Sequence, residues 1–169
     1  NDELQRYTNR TENSRVENGK LIIEAHRDGY MDDEYSSARL HTAGNADLLY
    51  GRVEVKAKLP NGVGTWSAIW MMPTDFFTHA TTCDQTTGWV ADCDAWPNSG
   101  EIDIMEHVGY DTGKVHATVH NKAGYWVNGQ QRQATIHQPL VDDGFHVYAM
   151  EWTQDRIDVF VDGNLYYTY

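Results

Sequence analysis

The stretch Pro97–Gly109, PNSGEIDIMEHVG, sets Glu101, Asp103 and Glu106 within six residues of otherwise apolar chain. A β-strand hides about half of its side chains, so three acids here are costly unless they serve a purpose. In a regular strand, residues 101, 103 and 105 share one face, and Glu106 points to the other. One extra residue, a β-bulge near Ile104-Met105, would reverse the parity and bring Glu106 to the face of Glu101 and Asp103. Three carboxyls in a row on one sheet face would result, with Asp103 in the middle.

Such a row has three readings. It is a catalytic acid pair with an assisting acid, a metal site, or a solvated charged face. The first suits retaining glycoside hydrolysis, in which one carboxylate attacks the anomeric carbon and a second carboxyl protonates the leaving oxygen. Crowded acids also separate in pKa, so one ionises while its neighbour keeps a proton. One rigid strand rarely wraps six or more oxygens around Ca²⁺, which weighs against a metal.

The rest of the chain reads as short strands. Val16–His26 (VENGKLIIEAH) is hairpin-like around Asn18-Gly19. Leu49–Leu59 (LYGRVEVKAKL) alternates, with Val53, Val55, Ala57 and Leu59 on one face and Arg52, Glu54, Lys56 and Lys58 on the other. Pro60-Asn61-Gly62 ends it. Further strands are expected at 35–41, 65–72, 101–108, 114–120, 145–153, 156–161 and 164–169. Thr74–Ser99 is an irregular loop. Short strands with turn signals and no 3.6-residue periodicity predict an all-β, antiparallel β-sandwich in a single domain spanning 1–169.

Composition limits the partners. The chain of 169 residues carries 13 basic and 25 acidic side chains, a net charge of −12. This argues against nucleic acid or an anionic membrane as partner, and suits a secreted protein that acts on a neutral substrate. No run of 18 apolar residues spans a membrane. No leader opens the chain, so any signal peptide is expected to be gone already. Cys83 and Cys93 form an even pair in a polar, turn-rich segment and read as a disulfide, the alternative being two free thiols. No cysteine–histidine spacing suggests zinc. The six Trp and ten Tyr fit carbohydrate-type surfaces.

Glu101-Ile102-Asp103-Ile104-Met105-Glu106 resembles the E-[IL]-D-[IVAF]-[VILMF]-E signature of glycoside hydrolase family 16, in the form with an extra residue that laminarinases carry. Three more segments resemble the family in the right order: DELQRYT, YGRVEVKAKLPNGVGTWSAIWMMP and FHVYAMEWTQDRIDVFVDG. The resemblance implies a jelly-roll sandwich with a concave cleft, and an endo-β-1,3-glucanase acting on laminarin-like β-glucan by double displacement. It gives Glu101 as nucleophile, Asp103 as its assisting carboxylate and Glu106 as acid/base. No cofactor is required for that chemistry; a structural calcium belongs to the complete domain. A monomer is expected.

The resemblance also implies sugar contacts. Trp96 matches a tryptophan that stacks sugar near the cleavage point; the alternative is an aromatic that packs on the cysteine loop. His120 lies where the family places a histidine near the acid/base. Arg52 matches an arginine reaching the negative subsites; the alternative is a solvated face with Lys56 and Lys58. Trp89 is a candidate cleft residue within the cysteine loop. Trp66 and Trp70 share strand parity, and at least one is expected in the core, with Trp66 retained as a candidate sugar contact. Asn1 corresponds to a sugar-contacting asparagine. His116 reads as structural.

The chain departs from the family pattern in its span and in one loop. The expected first strand and the closing V-D-Y-V-R-V-Y strand have no counterpart, so the sequence reads as the central part of a domain. The segment Phe76–Asp94 is longer than in relatives and is expected to wall one end of the cleft. The competing functions are a mixed-linkage glucanase, an agarase or carrageenase of the same fold, and a non-catalytic β-glucan recognition protein. Retention of both Glu101 and Glu106 weighs against the last.

Overall fold

The computed structural model describes residues 3–138 and 141–169. The chain divides into two compact units, residues 1–46 and 47–169.

The first unit is built on β1 (Gln5–Tyr7), β2 (Ser14–Glu17), β3 (Lys20–Ile23) and β4 (Tyr35–Ser37). Strands β2 and β3 form the antiparallel hairpin expected from Asn18-Gly19; both turn residues have positive φ, 51° and 73°. A turn with two positive φ angles matches the twist of the flanking strands, and Asn-Gly adopts it at least cost. β1 pairs with β4 in parallel. Polar groups hold this unit together. The fully buried Asn13 and Ser36 meet the Arg10 guanidinium, which donates to Asn13 Oδ1 at 3.0 Å, to Ser36 Oγ at 2.9 Å and to Asp28 Oδ2 at 2.7 Å. Buried polar atoms are tolerated here because each has a partner.

The second unit is a sandwich of two four-stranded antiparallel sheets. One runs in the order β12 (Asn164–Thr168), β11 (Ile157–Val161), β10 (His146–Trp152) and β5 (Gly51–Ala57). The other runs β6 (Trp66–Met71), β7 (Glu101–Val108), β8 (Lys114–His120) and β9 (Arg132–His137). Period-2 alternation turns one face of each sheet inward. Ile104, Met105, Val115, Ala117 and Val119 of the second sheet meet Tyr148, Met150, Val159, Val161 and Tyr167 of the first in one buried cluster.

The strands predicted at 101–108 and 114–120 lie at those bounds, and the others agree within a few residues. Two were not foreseen: β1, which is three residues long, and β9, whose RQATIH offers only Ala134 and Ile136 to the core. Gly109 ends β7 for a steric reason. A Cβ there would stand 1.9 Å from the Gly62 carbonyl oxygen, so only glycine lets the turn before β6 close over this strand end. That turn is fastened by Gly109 N donating to Thr65 O at 2.9 Å.

Candidate active site

The bulge lies where the sequence places it. Asp103 pairs with Thr118 and Glu106 with His116, so β7 uses three steps where β8 uses two. On the other side Trp70 pairs with Asp103 and Ile69 with Met105, which leaves Ile104 unopposed. Ile104 and Met105 both sink into the core at 1% exposure. Glu101, Asp103 and Glu106 therefore share the sheet face that looks away from the core.

Each carboxyl has a defined neighbour. The Trp96 indole, presented by a single turn at Ala95–Asn98, donates Nε1–H to Glu101 Oε2. The Trp66 indole donates Nε1–H to Glu106 Oε1 at 2.9 Å. His120 Nε2 stands 3.0 Å from Asp103 Oδ2, an ion pair with the ring N–H poorly aimed, since that oxygen carries no hydrogen bond. Asp103 is 3% exposed. The Trp96 ring packs on His120 (centroids 5.6 Å apart) and edge-on against Tyr125 at 6.0 Å.

Burial and mutual charge raise both outer glutamates. Burial pushes the Glu101 carboxyl up to about 7, the Asp103 charge adds to this, and the Trp96 N–H opposes it. Burial, and then the Asp103 charge, also raise Glu106, against the Trp66 and Thr118 donors. Burial would lower His120, but the Asp103 contact and the charges of all three acids outweigh it and raise the imidazole. Among the described residues, His120 is the one basic side chain in ion-pair reach of these acids. A cluster of acids so weakly neutralised holds a proton near neutral pH, as acid–base catalysis requires.

Other expected residues are placed as follows. Trp66 and Trp70 both face outward on the acid side, at 71% and 36% exposure, which overturns the expectation that one of them fills the core. The sandwich is filled instead by Ile69 and Met71 of the same strand. Arg52 is not brought to the acids. It lies on the outer face of the opposite sheet and donates to Glu54 Oε2 at 2.7 Å and Glu151 Oε1 at 2.7 Å. Trp89 packs on Phe77 and Phe76 within its own loop, with centroids 5.6 and 6.4 Å apart. Asn1 lies outside the described residues.

The Cys83–Cys93 disulfide is present. Its loop is tied to the Trp96 turn by Asp94, which accepts from Thr81 N at 2.7 Å, Thr81 Oγ1 at 2.6 Å and Asn98 Nδ2 at 2.8 Å. The Thr81 hydroxyl, foremost among these donors, holds Asp94 well below the ordinary carboxylate range. Among the described residues, no group of three or more His, Cys, Asp and Glu side chains is arranged to hold a metal.

Sequence reasoning missed two contributors, Thr118 and Tyr125. Thr118 lies on the acid face between His116 and His120, as the alternation in VHATVH could have shown. His116, read as structural, sits across from Glu106, with Nδ1 3.0 Å from Thr135 Oγ1. Tyr125 is held by a turn in which Asn128 Oδ1 accepts from its backbone N–H at 3.1 Å. No periodic signal marks it.

The geometry has close counterparts. A β-glucanase of Rhodothermus marinus is 50% identical over 170 residues, covering all of this chain and 55% of the relative. The crystal structure of the laminarinase from Rhodothermus marinus matches with a TM-score of 0.87 at 50% identity, over 100% of this chain and 62% of that one. SCLam, a non-specific endo-β-1,3(4)-glucanase, matches with a TM-score of 0.85 at 41% identity, over 100% and 59%. The chain thus spans little more than half the length of these relatives. The sequence pattern of glycosyl hydrolases family 16 extends over residues 1–169, and the chain belongs to that family.

Proposed function

We propose that the protein is a retaining endo-β-1,3-glucanase of laminarinase type, which also accepts mixed-linkage β-1,3-1,4-glucan. The observation that carries this reading is the bulged β7. It sets three scarcely neutralised carboxyls in a row, with an indole N–H on each outer glutamate. In the first step Glu101 attacks the anomeric carbon as the glycosidic C–O bond breaks, and the Glu106 proton passes to the leaving oxygen. In the second, Glu106 takes a proton from water, whose oxygen displaces Glu101 with net retention. Asp103 tunes both partners through its charge, and His120 stands against Asp103 at 3.0 Å. Trp96, next to Glu101, offers its ring to the sugar. No cofactor enters these steps. A β-glucan is the partner, the protein acts as a monomer, and a disulfide fits a secreted protein. Structural calcium, where present, belongs with the complete domain.

The test is product analysis on laminarin, mixed-linkage glucan and agarose, with Glu101→Gln beside the parent. Laminari-oligosaccharides from the parent and a loss of at least ~10³-fold in the variant are expected. Tight laminarin binding by a folded parent without hydrolysis would replace this reading with a recognition protein.

A further inference from the structure

Trp66 has an exposed ring, yet its one polar atom is committed. The indole reaches diagonally from β6 to β7, where Ala68 stands directly across from Glu106 and leaves room for the ring to lean over. Nε1–H then meets Glu106 Oε1 at 2.9 Å. An indole has no acceptor nitrogen, so this bond engages an oxygen lone pair and never the acid's own proton. The carbonyl oxygen of a carboxylic acid is the better acceptor, so a donor on Oε1 favours the proton on the other oxygen.

We propose that Trp66 is the positioning residue of Glu106: its N–H occupies Oε1 and reserves Oε2 for the proton that the leaving oxygen receives. This rests on Glu106 being the acid/base. As the glycosidic C–O bond breaks, the Oε2–H proton moves to the departing oxygen. Glu106 becomes a carboxylate whose Oε1 is already stabilised by the indole. The donor costs nothing to reorganise at that moment, since it is in place beforehand. The groups facing Glu106 are Asp103 on its own strand, His116 and His120 on β8, and the Thr118 hydroxyl; β6 presents only Trp66, Ala68 and Trp70. Trp66 is therefore the donor that comes from the β6 side, opposite to Thr118. Removing it raises the Glu106 pKa further, because the ionised form loses its bond.

Trp66→Phe keeps a ring for a sugar and deletes the donor. With aryl β-laminaribiosides, kcat/KM for a phenyl leaving group, which needs the proton, should fall about ten-fold. For 2,4-dinitrophenyl, which needs none, it should stay unchanged, and the alkaline limb of the profile should move to higher pH. Trp66→His, which retains a ring N–H, should recover part of the loss. An equal loss for both leaving groups, or an unmoved alkaline limb, would make Trp66 a sugar platform only and overturn the proposal. A readout independent of turnover is the ¹H–¹⁵N resonance of the Trp66 indole. It should titrate with pH in the parent and stop doing so in Glu106→Gln; an indole indifferent to that substitution also overturns the proposal. The acid/base reading fails separately, if Glu106→Ala with azide yields no β-glycosyl azide from the dinitrophenyl substrate.

Discussion

The outer faces of the two sheets carry charge in opposite ways. On the β12-β11-β10-β5 sheet both arginines are paired with acids. Arg52 lies between Glu54 and Glu151, and Arg156 Nε meets Asp158 Oδ2 at 2.7 Å. On the β6-β7-β8-β9 sheet three acids crowd together, and the basic partner among the described residues is one imidazole. Paired ions in water stabilise little, but they also react with nothing. Unpaired acids partly removed from water have raised pKa values and keep a proton to give. On the proposed function, the paired face is surface and the other carries the chemistry.

The comparison is broken most strongly at Asp103. Asp103→Asn removes the negative charge that raises both glutamates. Both pKa values fall, so the acid and alkaline limbs should move together to lower pH, and kcat should drop by about 10²-fold. A profile that loses height without moving would show that Asp103 acts by geometry alone.

The loop beside the site gives a smaller effect of another kind. Replacing both cysteines, Cys83→Ser with Cys93→Ser, should lower stability by about 2–3 kcal/mol in denaturant unfolding. The pH profile should stay in place, because the Asp94 hydrogen bonds hold the Trp96 turn. A shifted acid limb would show that the disulfide itself sets the Trp96–Glu101 contact.

The smallest effect is expected on the paired face. Arg52→Ala should slightly lower the melting temperature and leave kcat/KM on laminarin unchanged. A marked rise in KM would return Arg52 to the substrate site and end the contrast between the two faces.

Much of this was legible in the chain. The alternation in GRVEVKA and VHATVH marks two strands and their faces. The crowding of acids around Ile104-Met105 shows where a bulge must fall. Strand β9 was not legible, because it gains its place by pairing with β8 rather than from its own apolar content. The side taken by Trp66 and Trp70 was hidden for a different reason. In TWSAIWMM both faces are apolar, so alternation says which residues travel together without saying which set meets the other sheet.

The sequence by itself determined the parity of the strands, the family and the three acids, because these depend on residues a few positions apart. Only the tertiary structure decided that two tryptophans face outward, that each outer glutamate receives an indole N–H, and that Arg52 belongs to the other side. The Trp66–Glu106 bond joins residues 40 apart in the chain. Its existence depends on the register between β6 and β7, which is fixed by sheet-on-sheet packing and has no local signature.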